Sequence, residues 1–229
     1  MSSAGSSAGS SAGGWGSISR RRALGLMAAA LALPLIAASP ETLPRRRVPI
    51  NYNASTVKAS ISVPELLRES DKQAMKSLDS GWATRLVYDV AVFEKGNARS
   101  PLATVQLEVK VQWDPWNRDY MVQTSVGGGK PSLRRFALRA DAIKAATVLR
   151  VPVARTDAFT RGDDHAYFVT VFAQRNPTQS KSSAAGGSGR GQDRDLEVFS
   201  RWVGMFVRSR PKAEQTSEFR SELFYIPED

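Results

Sequence analysis

The chain has 229 residues, 41% hydrophobic and 24% charged, with a formal net charge of +10 and a pI near 10.2. That composition is ordinary for a globular protein and supplies enough chain for one domain of ~150 residues with its own core. With no cysteine and one histidine, the chain has no disulfide, thiolate metal site, iron–sulfur cluster, cysteine nucleophile or lipid-modified cysteine, and no metal site built on several histidines.

Residues 1–17 are a Ser/Gly/Ala stretch with almost nothing to bury, which predicts disorder. Ser19, Arg20, Arg21, Arg22, Ala23 and Leu24 then precede an apolar run that ends in small residues. A basic stretch, a short apolar run and a small-residue end form the layout of a secretory signal peptide. The order Ser19-Arg20-Arg21-x-x-Leu24 is similar to the twin-arginine export signal, and three arginines serve the general secretory route equally well. Cleavage is expected near Ala37-Ala38-Ser39. The rival reading is an uncleaved anchor, although the run falls short of the ~20 residues needed to span a bilayer.

Residues 39–56 hold three prolines and Arg45-Arg46-Arg47, the composition of an extended linker with a solvated basic run. The β-rich domain is expected over 57–229. Residues 57–63 suit a short strand. Pro64 followed by Leu66, Leu67, Met75 and Leu78 suits a short amphipathic helix stopped at Ser80-Gly81.

Residues 82–93 alternate, with Trp82, Thr84, Leu86, Tyr88, Val90 and Val92 on one face and Arg85, Val87, Asp89, Ala91 and Phe93 on the other. This is the strongest strand signal in the chain. After a turn at 94–97, residues 102–113 alternate Gln106, Glu108, Lys110 and Gln112 against Val105, Leu107, Val109, Val111 and Trp113, the pattern of a half-exposed antiparallel sheet. Asp114-Pro115-Trp116-Asn117 reads as a tight turn. Strands are expected at 120–126 and 133–138 around Gly127-Gly128-Gly129. A second helix is expected from Arg139 to Leu149, ended at Val151-Pro152. Residues 167–173 suit a buried strand, and 176–195 a flexible insertion. Residues 196–207 are apolar and ambiguous between helix and strand, and 219–226 suit a closing strand.

Three segments together carry a resemblance. They are the strand after Ser80-Gly81, the turn Trp113-Asp114-Pro115-Trp116 with Tyr120, and the tail from Phe199 through Trp202, Gly204 and Arg208 to Phe219-Arg220-Ser221. The arrangement resembles an exported proteobacterial (myxobacterial-type) family known only as a domain of unknown function, over roughly residues 57–227. The resemblance implies a leader followed by one β-rich domain, and it brings no catalytic residues to this chain.

Several clusters are candidates for chemistry. Trp113, Trp116 and Tyr120, with Arg118, could form an aromatic platform for a ligand, although aromatics beside a turn also anchor sheet edges. Lys130, Arg134, Arg135 and Arg139 form the densest basic patch, suited to an anionic polymer or membrane surface, or else to a solvated face. Asp163-Asp164-His165 is the one His-with-carboxylate cluster and the only nominee for a hydrolase, but Gly-Asp-Asp before a strand is also common turn chemistry. Gly127–Gly129 with Lys130 lacks the helix start of a phosphate loop, because Pro131 follows. No cofactor motif, catalytic motif or signature of specific nucleic-acid binding is present.

The expected architecture is mainly β, a sandwich of about seven strands with one or two short helices, with α+β as the alternative. The expected function is a non-catalytic binding or scaffold module exported to the periplasm or cell envelope. Its expected partner is another envelope protein or an anionic surface, and its mature form has no transmembrane span.

Overall fold

A computed structural model describes residues 39–178 and 212–228, all within one compact unit spanning Ala37–Asp229. The architecture is mainly β. Nine strands, two more than expected from sequence, form two antiparallel sheets, and two short α-helices accompany them among the described residues. No described helix is long and apolar enough to cross a membrane.

The small sheet contains β1 (Ile50–Tyr52), β2 (Thr56–Ser62) and β7 (Val148–Arg155), in the order β1-β2-β7. The large sheet contains β3 (Thr84–Glu94), β4 (Ala103–Asp114), β5 (Asp119–Val126), β6 (Ser132–Phe136), β8 (Tyr167–Arg175) and β9 (Gln215–Arg220), in the order β6-β5-β4-β3-β8-β9. Thus β3 to β6 form a meander, and β8 returns to the free side of β3, pairing Phe93 with Phe168.

Alternation along each strand decides which face is which. Leu86, Tyr88, Val90 and Val92 of β3 point inward with Leu107, Val109 and Val111 of β4, Val122 of β5, and Val169, Val171 and Ala173 of β8. The small sheet covers this inner face with Val57, Ala59, Ile61, Val151 and Val153. Two helices complete the cover: α1 (Lys72–Asp79), through Met75 and Leu78, and α2 (Arg139–Thr147), through Ala142, Ile143 and Ala146. Val87, Ala91, Phe93, Phe168 and Phe172 point to the opposite, outer face. They too are buried, but they lie outside that core cluster.

The expected single helix over 64–80 is two pieces. Pro64–Leu67 is a 3-10 turn, and α1 starts after Asp71, whose side chain accepts a hydrogen bond from the Ala74 amide. The aspartate supplies a strong cap partway through the segment and sets the break. The expected second helix stops at Thr147, and the chain goes straight into β7. Pro152, which the sequence marks as a helix terminator, lies inside β7, an edge strand with a register shift at its Val57/Lys58 partners. An edge strand tolerates a residue without an N–H. The closing strand is β9, earlier than expected, and Phe224 adds only an isolated bridge to Tyr167.

The expected linker 39–56 is part of the fold. Arg45 bridges Arg220 in parallel, Arg46 donates from its amide to the Arg220 carbonyl, and 50–52 are β1. Arg46 is no solvated tail either, because its guanidinium meets Glu65 at 2.6 Å and lies over the Phe219 ring. The flexible insertion expected at 176–195 lies outside the described residues from 179 onward, as do the leader with Ser19, Arg20, Arg21 and Leu24, and the apolar run 196–207.

Candidate functional site

The turn between β4 and β5 is organised by one carboxylate. Asp114 accepts from the Trp116 amide at 3.0 Å, the Asn117 amide at 3.3 Å and the Asn117 side chain at 2.7 Å. Arg135 from β6 adds a fourth donor at 3.2 Å and also bonds Asp119 at 2.9 Å. These contacts hold the Asp114 pKa down at about 2, with the Asn117 side-chain hydrogen bond as the largest cause. Arg118 closes the turn in the left-handed region at φ 52°.

The four residues of the candidate aromatic platform do not converge. Trp113 and Tyr120 face inward as cross-strand partners, with ring centroids 4.7 Å apart, and pack on the core. The Tyr120 hydroxyl donates to Asp79 at 2.8 Å, and burial, helped by that carboxylate, pushes its pKa up to about 12. Trp116 stands at the turn tip, 92% exposed, beside exposed Arg118.

A second tryptophan is presented at the same end. Trp82 precedes β3, and Gly81 before it accepts from the Gln112 side chain at 2.9 Å, which fixes Trp82 beside the end of β4. Trp82 is 77% exposed. Alternation in the sequence puts Trp82 on one strand face with Thr84, Leu86 and Tyr88. The structure starts β3 two residues later, so the alternation had no hold on it.

The basic patch is dispersed. Arg134 and Arg135 alternate faces of β6; Arg134 lies over the Phe136 ring at 4.9 Å, while Arg135 is paired with Asp114 and Asp119. Arg139 pairs with Asp79 at 2.7 Å. Lys130 sits at the opposite end of the β5–β6 hairpin, where the Gly127 and Gly129 amides donate to Gln106 and Val126 carbonyls. A shallow polar groove of about 130 Å³ lies beside that hairpin, lined by Glu108, Lys110, Gln123, Ser125, Gly128, Gly129 and Pro131. That is below the ~300 Å³ at which small-molecule pockets begin.

Asp163 and Asp164 occupy an exposed turn, and His165 Nδ1 lies 2.8 Å from Glu94 of β3. Both members of that pair are more than a third exposed, at 39% and 38%. No group of three or more metal-ligating side chains occurs among the described residues.

Comparison with protein-family models, curated proteins and solved structures finds no match in any of the three. The site's chemistry therefore rests on its own geometry. Two exposed indoles and Arg118 share one end of the large sheet, and three arginine–aspartate contacts lie at that end. Aromatic and arginine side chains of this kind dominate protein interfaces.

Proposed function

We propose that the protein is a non-catalytic binding module of the bacterial cell envelope, meeting a protein partner with the β4–β5 end of its large sheet. One observation carries this reading: Trp82 and Trp116 are both presented to solvent at that end. They are the most exposed of the described aromatics, ahead of Tyr52 at 49% and Tyr225 at 44%, and an interface uses indoles presented in this way as anchors. The export-like pattern of residues 19–38, and the resemblance to an exported family without catalytic residues, support the envelope setting.

Charge favours a protein partner over a bare anionic polymer. Around the tip, Arg135 and Arg139 are already matched by Asp79, Asp114 and Asp119. Such a rim suits a mixed-charge protein surface more than a polyanion, which needs cations free to neutralise it.

The test places a photoreactive residue at 116, at 82 or at exposed position 150 of the small sheet in the full chain, followed by irradiation of intact cells. A discrete heavier adduct is expected from 116 and 82 and not from 150. No adduct from either tryptophan position, or the same adduct from position 150, contradicts the reading.

A further inference from the structure

The two edge strands of the large sheet differ in what lies beside them. At one edge, β9 is closed by the N-terminal arm. The Arg46 amide donates to the Arg220 carbonyl at 2.8 Å, and the Arg220 amide donates to the Pro44 carbonyl at 2.9 Å. At the other edge, β6 has β5 as its one described strand neighbour, and Ser132, Leu133, Arg134 and Arg135 are all exposed. No described loop bonds the backbone groups that β6 turns away from β5. Such a row of N–H and C=O groups is a template for one more strand. The small sheet offers less, because β1 is three residues long and β7 contains Pro152, which has no N–H to donate.

Register decides which strand fits. Arg134 lies opposite Val122 and Phe136 opposite Tyr120, so both are on the inner side of the sheet. Leu133 and Arg135 lie opposite Gln123 and Met121, on the outer side. Arg135 is already neutralised by Asp114 and Asp119. Arg134 rests on the Phe136 ring, and neither it nor Lys130, just before β6, has a carboxylate partner among the described residues. Leu133 leaves apolar surface on the outer side, at 56% exposed.

Resting on the binding role proposed above, we propose that β6 takes an extended strand of the protein partner as a further strand of the large sheet. That strand alternates acidic and apolar residues, with carboxylates on the Arg134 side and apolar side chains on the Leu133 side. A carboxylate directly across from Arg134 is a favourable cross-strand pair. The β6 of a second copy brings arginines against arginines, which is unfavourable. The edge therefore separates an acidic strand from a copy of itself. Its position is continuous with the tryptophan end. Arg135 bonds Asp114 and Asp119, which flank the Trp116 turn, so a segment anchored on Trp116 runs onto the Phe136 end of β6.

The test titrates the full chain with a soluble peptide alternating Glu and Val, and with its Lys–Val counterpart, following backbone amides by NMR. The Glu–Val peptide should shift and protect amides at 132–136, and the Lys–Val peptide should not. Arg134→Glu should weaken binding of the acidic peptide at least about threefold and admit the basic one, with an unchanged urea midpoint. Equal response to both peptides, no response at 132–136, or an Arg134→Glu variant that keeps the original preference overturns the proposal. In intact cells, a photoreactive residue at position 132 should give the same adduct as one at 116. An adduct from 116 without one from 132 overturns strand addition and leaves the tryptophan reading standing, whereas no adduct from either contradicts both.

Discussion

Asp114 joins two amides, one side chain and an arginine, so its protonation opens the β4–β5 turn. Its pKa of about 2 lies below the ordinary 3.8. A carboxyl depressed on folding contributes stability that is present above its unfolded pKa and lost as pH falls through the folded one. The urea midpoint of Asp114→Asn should therefore lie below wild type at about pH 5 and converge on it toward about pH 2. A gap that is constant with pH contradicts this assignment. At the other end of the burial scale, the Tyr88 hydroxyl donates to the Ala146 carbonyl at 2.8 Å inside the core, and burial drives its pKa upward. Tyr88→Phe leaves that carbonyl without its donor and should cost about 1–3 kcal/mol in urea unfolding.

Single side chains also lock elements together. Arg175, at the end of β8, is 6% exposed and reaches Asp71 at the start of α1, Glu214 before β9 and the Leu66 carbonyl. Asp71 and Glu214 reach solvent, at 29% and 45% exposed, so the loss of Arg175 is felt mainly at the Leu66 carbonyl, which it leaves without a donor. Arg175→Met should lower stability by about 1–3 kcal/mol in urea unfolding through that unpaired carbonyl, while a comparable change at the exposed Arg155–Asp157 pair leaves it nearly unchanged. The open edge of the large sheet is β6, which carries Arg134 and Arg135. Like charge on facing edge strands prevents a second copy from pairing there. Replacing both arginines with Val should give concentration-dependent self-association by light scattering, and monomers at all concentrations contradict that role. The central strands were legible in sequence because alternation ran uninterrupted through 84–94 and 103–114. β1 and β7 were not, because one is three residues long and the other contains Pro152.

Across the whole molecule, the N-terminal arm belongs to the domain. Glu65 accepts from Arg46 and Ser217, both at 2.6 Å, and so joins the arm, the 3-10 turn and β9. Burial pushes its pKa up, but Ser217, its own backbone amide and Arg46 together hold it below the ordinary carboxylate value. The sequence read 39–56 as a linker because prolines and arginines dominate it. Nothing local announces that Arg45 and Arg46 lie along Arg220, some 175 residues on. The candidate site was half legible. The turn Asp114–Asn117 and Trp116 stood out, while Trp82 was hidden in a strand pattern that its own backbone leaves, and two of the four basic residues, Arg135 and Arg139, are paired with aspartates distant in sequence. The whole account turns on whether the exposed tryptophan end engages a partner, and native gel migration of the protein taken from gently lysed native cells tests that most directly. Wild type should run in a complex larger than its own 25.0 kDa, and the Trp82→Ser, Trp116→Ser double variant should run as free protein with an unchanged urea midpoint. Equal migration of the two contradicts the account.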